Sequence, residues 1–326
     1  MNPLLKIILK MGHTIPPLFI GPLTGRDPAV LLYHGVPNHS PQPHNAYNFT
    51  AADFEKQVAY LKKHFTFIHP HDIFKTRPPS LRKELLLTFD DGFRNNAVLA
   101  APILRKYNVP ALFFVCGRHC ERGRYLWFTH LQALRYHFKD AGFSFRGEYF
   151  DMSPEQRERS IDRLHKLLLS LRPHPHAMYD AIERELPNMQ SFIAPQDMDD
   201  WYSGMTAEQL AELASDPLFS IQAHTTDHPQ LPSCDKEEAA RQLQENKQFI
   251  ERICGTVVTD ISYPSGDYGV REIEICKASG FETGYAVTPK VNSFHEFEIP
   301  RAGIYRPQKE LAAFKAMWAR RRTSKG

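Results

Sequence analysis

The sequence predicts a single α/β barrel of about seven strands carrying a helical insertion. Strand signals recur near residues 30–34, 85–89, 111–115, 218–223, 259–263, 282–287 and 298–304. Segments with helical spacing stand between them near 51–64, 96–107, 236–253 and 270–279, and such alternation marks parallel strands joined by helical crossovers. The chain has 326 residues, 42% of them hydrophobic, enough to bury one large core or two medium ones.

Taken in order, residues 1–28 read as an N-terminal extension, mildly basic and apolar. Lys6 and Lys10 interrupt its apolar run and no clean small-residue cleavage site follows, so neither a secretory signal nor a spanning helix, which needs ~18 or more apolar residues, is expected there. It is a candidate for peripheral membrane contact as an amphipathic segment. The first strand ends at His34, on the rim where barrel active sites form. Leu85-Leu86-Leu87, bounded by Arg82-Lys83-Glu84 and by Gly92, reads as a buried strand ending in a loop. Asp90 and Asp91 follow it, and Gly92 permits the sharp departure that brings both to the strand's end.

A minimal barrel does not need the stretch of about 120–204. It opens with an aromatic and basic run, Arg124 to His130, and continues with Ile161, Leu164, Leu167, Leu168 and Leu171 at helical spacing. Trp127 is a candidate sugar platform or a core residue. Asp199 and Asp200 read as capping or solvated acids, and Thr206 as the N-cap of the next helix. Pro217 to Ala223 leads into His224 and His228, which converge if the intervening residues form one helical turn. Beyond residue 308 a C-terminal helix and basic tail, Arg320-Arg321-Arg322 and Lys325, are expected.

Two adjacent carboxylates and two imidazoles four residues apart supply a metal-dependent hydrolase. One carboxylate and both histidines make a three-ligand site for a divalent cation, with a position left for water, and the other carboxylate is free to act as a base. Paired aspartates also serve magnesium and phosphate chemistry, and histidines four apart arise by chance in a chain with 16 of them. The conjunction of both pairs at strand ends carries the reading.

On these residues the chain resembles the polysaccharide deacetylase family, with its NodB-type homology domain, in its exopolysaccharide-type branch. Thr88-Phe89-Asp90-Asp91-Gly92 matches the first family motif, and His224-Thr225-Thr226-Asp227-His228 the second. Leu31 to Val36, the helix-like Asn48-Phe49 through Phe54, Gln57, Tyr60 and Leu61, and Ala101 to Val115 resemble the surrounding elements. The resemblance implies a distorted, incomplete (β/α) barrel over about 29–308. It also implies Asp90 as general base and Asp91, His224 and His228 as ligands of a divalent metal, zinc first and Co2+, Ni2+ or Mn2+ after it. The implied substrate is an N-acetylated carbohydrate.

The third motif departs from the family. Ile261 to Gly269 aligns with an R-x-P-Y segment, but Ser262 occupies the arginine position and Ser265 the position after Pro264. A backbone N–H at Ser265 still serves as oxyanion donor, while the base-orienting arginine must come from elsewhere, with Arg301 the candidate. Tyr263, Pro264, His34 and Trp127 complete the expected substrate contacts. No late Leu-x-His exists, and His295 is the only histidine after His228, so the general acid is open between His295 and Asp90 itself. Two other readings stay open, hydrolysis of another linear or cyclic amide and a catalytically silent carbohydrate-binding protein.

Net charge is +3, and without a basic stripe interleaved with aromatics no nucleic-acid partner is expected. The five cysteines form no C-x-x-C pair and read as reduced thiols of a cytoplasmic protein.

Overall fold

The computed structural model describes residues 27–39, 49–75, 84–121, 124–287 and 295–304. The expectations for the first 26 residues and for the basic tail lie outside them. The strands are β1 (Ala29–Tyr33), β2 (Thr66–Phe67), β3 (Glu84–Phe89), β4 (Ala111–Val115), β5 (Gly142–Phe145), β6 (Glu148–Asp151), β7 (Phe219–Ala223), β8 (Asp260–Ser262), β9 (Thr283–Ala286) and β10 (Ile299–Gly303). Seven of them, β1, β3, β4, β7, β8, β9 and β10, form a parallel ring in that order, closed because β1 pairs with both β10 and β3. The expected seven-strand (β/α) barrel is therefore present, one strand short of eight but without a free edge in the ring. β2 adds a short pairing beside the start of β3.

Period-two alternation sorts the strand residues into two cores. Val30, Leu86, Leu112, Phe114, Tyr285 and Ile299 fill the barrel interior. Leu31, Leu87, Phe113, Val115, Ala223, Ile261 and Ala302 face outward into the layer under the helices. The longer helices are α1 (Ala51–His64) and α2 (Ala101–Tyr107), then, in the chain beyond β4, α3 (Trp127–His137), α4 (Arg157–Ser170), α5 (Pro175–Glu185), α6 (Ala207–Ala214), α7 (Lys236–Cys254) and α8 (Val270–Ala278). Counting two residues at a time from the interior set, Thr88, Asp90, His224, Ser262 and Arg301 all fall on the inward face.

α3, α4 and α5 belong to the segment between β4 and β7, which builds its own core from Trp127, Leu131, Phe145, Phe150, Leu164 and Tyr179 among others. Its β5–β6 hairpin was not expected. It turns at Arg146 and Gly147, both at positive φ, as a two-residue hairpin loop requires. Thr206 caps α6 as expected, in a reciprocal capping box with Gln209. Asp200 accepts from the backbone N–H groups of Asn38 and His39, so it fastens the loop after β1. All five cysteines are free thiols. Among the described residues no helix is long and apolar enough to cross a membrane.

Candidate metal centre

The site sits at the carboxyl ends of β3, β7, β8 and β10. Asp90 continues the inward face of β3. Asp91 alone would point outward, but it adopts φ +77° and Gly92 follows at φ +81°, so the chain reverses and both carboxylates reach the mouth. The departure thus begins one residue before the glycine expected to supply it. A non-glycine residue in this region carries strain of ~1 kcal/mol or more. Gly92 has no room to spare either, since a Cβ there would lie 3.1 Å from the Val115 Cβ.

His224 and His228 converge by a different route from the helical turn expected. Residues 224–228 form a bend with Thr225 at φ +68° and His228 at φ +53°, and the His228 N–H donates to the Thr225 hydroxyl at 3.1 Å. Spacing of four is shared by a helical turn and by this looped return, so spacing alone could not separate them. His224 Nδ1 lies 2.8 Å from the Ser262 carbonyl, which only accepts, so that nitrogen carries the proton and Nε2 offers its lone pair to the site. Asn246 of α7 accepts from the His224 N–H at 3.0 Å and donates to the Val115 carbonyl at 3.2 Å.

Asp91 Oδ1 lies 3.5 Å from His224 Nε2 and 3.6 Å from His228 Nε2. These separations match the ~3.4 Å between ligands of a tetrahedral ion bound at ~2.1 Å. That oxygen is buried without a hydrogen-bond partner among the described residues, the condition of an atom shaped for a cation. One carboxylate and two imidazoles therefore fit a divalent metal, and they are the group that can hold one among the described residues. Burial opposes ionisation of Asp91, yet the imidazoles close to it, His224 first and then His34 and His228, hold it well below the usual carboxylate range. Burial, with the charge of His224, pushes His228 down to about 4, the neutral form a metal needs.

Asp90 has the opposite surroundings. Arg301 grips it with a two-pronged ion pair, Nη1 to Oδ1 at 2.7 Å and Nη2 to Oδ2 at 2.8 Å. The Ser262 hydroxyl accepts from Arg301 at 2.7 Å and donates to Asp90 at 3.1 Å. Burial raises the pKa of Asp90, but the Arg301 charge and hydrogen bonds, together with His224, bring it below the ordinary value. Arg301 is itself completely buried. The Ser262 side chain thus leaves the space through which a β10 arginine reaches the carboxylate.

The remaining expected residues divide. His34 is half-buried at the rim, its imidazole pKa lowered by burial against the charges of Asp91 and Asp90. Ser265 is exposed at φ +57° in the turn after Pro264, and its N–H makes no hydrogen bond to the described residues, unlike those of Gly266 and Asp267. Tyr263 is corrected: one residue beyond inward Ser262, it faces outward, fully buried against Tyr268 with its hydroxyl on the Phe297 carbonyl. Trp127 is corrected as well, because it stacks on His165 in the insertion's core. The next residue, Phe128, packs its ring 5.0 Å from that of His228. His295 is exposed beside Glu296. Sequence reasoning missed Gln242 and Asn246, although a signal existed, two amides within the stripe that α7 otherwise buries with Ala239, Leu243 and Ile250.

A polysaccharide deacetylase family model matches residues 77–169 and 172–284. YxkH of Bacillus subtilis (strain 168), described as a "Putative polysaccharide deacetylase", is 20% identical over 265 residues, which cover 80% of this chain and 64% of that protein. The chain therefore spans less than two thirds of that relative's length. Among solved structures, the Streptococcus pyogenes deacetylase PplD in complex with acetate aligns with a TM-score of 0.56 at 16% identity, over 88% of this chain and 96% of that one. IcaB from Ammonifex degensii aligns with a TM-score of 0.55 at 20% identity, over 90% and 97%. At such identities these structures share the fold.

Proposed function

The chain belongs to the polysaccharide deacetylase family, and from that premise we propose that it is a metal-dependent hydrolase removing the acetyl group from an N-acetylated sugar of a polysaccharide or its precursor. The observation that carries this reading is the contrast within the aspartate pair. Asp91 turns an oxygen without hydrogen-bond partner toward two imidazoles, while Asp90 is clamped by Arg301 and Ser262.

A divalent cation held by Asp91, His224 and His228 would acidify a water molecule and polarise the acetamide carbonyl. Zinc suits this donor set best, with Co2+, Ni2+ and Mn2+ as the other candidates. Asp90 Oδ2 lies 3.7 Å from His224 Nε2, close enough to take the proton of a water attacking at the same place. Arg301 keeps that carboxylate ionised and oriented beforehand. The Ser265 N–H donates to the oxygen that gains charge as the carbonyl carbon becomes tetrahedral. Protonated Asp90 then returns its proton to the nitrogen as the C–N bond breaks, so that acetamide and water become acetate and a free amine. His34 contacts the sugar at the rim.

The test is acetate release from N-acetylated oligosaccharides by zinc-loaded protein, with and without a chelator. Chelator-sensitive release is expected. Bound metal without release from any such sugar would redirect the reading to another linear or cyclic amide, and neither binding nor release would leave a silent carbohydrate-binding protein.

A further inference from the structure

The two candidate imidazole ligands are held by different means. His224 has its Nδ1 tied to a carbonyl, whereas His228 Nδ1 is buried with no hydrogen-bond partner among the described residues. Metal-binding histidines are normally oriented through that second nitrogen. For His228 the orientation must come from its backbone, which sits at φ +53°, and from the Phe128 ring against it.

The residue just before it is unusually well held. Asp227 is completely buried, and its carboxylate receives Arg118 Nε at 2.6 Å and Gln242 Nε2 at 2.6 Å. Its N–H donates to Gln242 Oε1 at 2.8 Å, and its carbonyl accepts from the Tyr179 hydroxyl at 3.0 Å. Arg118 in turn lies 4.0 Å over the face of the Tyr179 ring and donates to Glu183 at 3.1 Å. Every backbone and side-chain polar group of Asp227 thus has a partner, and one of those partners, Tyr179, stands on α5 of the insertion, as does Glu183, which holds Arg118. A buried ion pair contributes little net stability, because desolvation offsets its attraction. What it and the accompanying bonds do supply is a single allowed conformation.

We propose that Asp227 is the positioning residue of His228, and that the insertion, through Tyr179 and Phe128, is a working part of the metal centre rather than an appendage to the barrel. This rests on the reading of Asp91, His224 and His228 as metal ligands. Clamping Asp227 on both of its peptide groups holds the following residue in its left-handed conformation, and Phe128 limits the swing of the ring.

The experiment is zinc affinity of the full chain, measured by competition with a chromogenic chelator. Asp227→Asn is expected to weaken binding at least tenfold, the scale for losing a group that orients a ligand. Tyr179→Phe keeps the ring beneath Arg118 but removes the hydroxyl from the Asp227 carbonyl, and a three- to tenfold loss is expected. In a His228→Ala background both changes should alter the remaining affinity by less than twofold, while in a His224→Ala background each should keep its full effect, since coupling appears only between groups that act together. Wild-type affinity in both variants, or equal losses in the two backgrounds, would overturn the proposal. A wild-type chain that binds no zinc would instead defeat the metal reading on which it stands.

Discussion

Asp90 and Asp91 are neighbours in sequence with opposite surroundings, and single substitutions should separate their duties. Asp90→Asn keeps the shape of a side chain that receives three hydrogen bonds but cannot accept a proton, so turnover should fall by the factor of 10²–10⁴ that general bases supply. Metal content should be unchanged, and a chelator titration checks it; loss of the ion instead would exchange the two assignments. Arg301 acts on the same carboxylate. Its removal leaves burial, which raises the pKa of Asp90, without its main counterweight. The base must be ionised, so activity is lost as pH falls through that pKa, and a raised pKa moves the acidic limb of the kcat/KM profile to higher pH. Arg301→Ala should show this shift. Arg301→Lys should restore most of the limb's position and little of the turnover, because a lysine carries the charge without the two-pronged grip. Unchanged limbs in both variants would remove Arg301 from the mechanism.

At the scale of elements, β1, β3 and β4 were legible as apolar runs because each buries both faces, whereas β7 to β10 carry polar residues and were legible through their alternation with helical segments. The candidate ligands stood out in the sequence because carboxylates and imidazoles at strand ends suit a divalent cation. What was not legible followed from backbone geometry: the looped path from His224 to His228, and the outward turn of Tyr263, which depends on register to a single residue. The β5–β6 hairpin did leave a trace, since Phe143, Phe145 and Phe150 flank the Arg146-Gly147 turn, but three phenylalanines are a weak alternation. The insertion carries a prediction of its own. His130 of α3 is buried with Nε2 on the Pro187 carbonyl at 2.9 Å, and burial pushes its pKa down to about 4. The unfolded chain takes up a proton below its ordinary pKa of ~6.5 that the folded chain refuses until about 4. Stability is therefore full above that ordinary value and falls as pH drops toward the folded one, by on the order of 3 kcal/mol from this residue. His130→Gln keeps a donor for the carbonyl and cannot titrate. The stability difference between pH 7 and pH 4.5, from urea unfolding, should shrink in the variant by that order; an identical difference in both proteins would assign the pH dependence to other groups.

The whole molecule explains why Asp90 and Arg301 meet. Arg301 pairs in register with Val30, and Val30 with Leu86, so Arg301 starts level with Leu86, two inward positions below Asp90. Four residues, ~13 Å of strand, separate Leu86 from Asp90, and the Arg301 side chain climbs past Thr88, at 3.3 Å, to meet the Asp90 side chain from below. Only closure of the ring through β1, which pairs with both, brings β10 this near to β3. An open sheet with the same strands would leave Asp90 without its counter-charge. The candidate ligands are distributed similarly, Asp91 from the end of β3 and both histidines from the end of β7, with β4 between these strands. A cation joining them would tie together two crossovers of the barrel and would bind the folded chain far better than the unfolded one. At a hundredfold excess over Kd that linkage is worth about 2.7 kcal/mol, which for a chain of 326 residues is a few degrees in Tm. Zinc added to chelator-treated protein should raise Tm by that amount at a hundredfold excess over Kd, and further as the concentration grows. His224→Ala should show little or no rise, because only one imidazole remains. A wild-type Tm indifferent to zinc, or an equal rise in the variant, would mean that Asp91, His224 and His228 do not hold the ion.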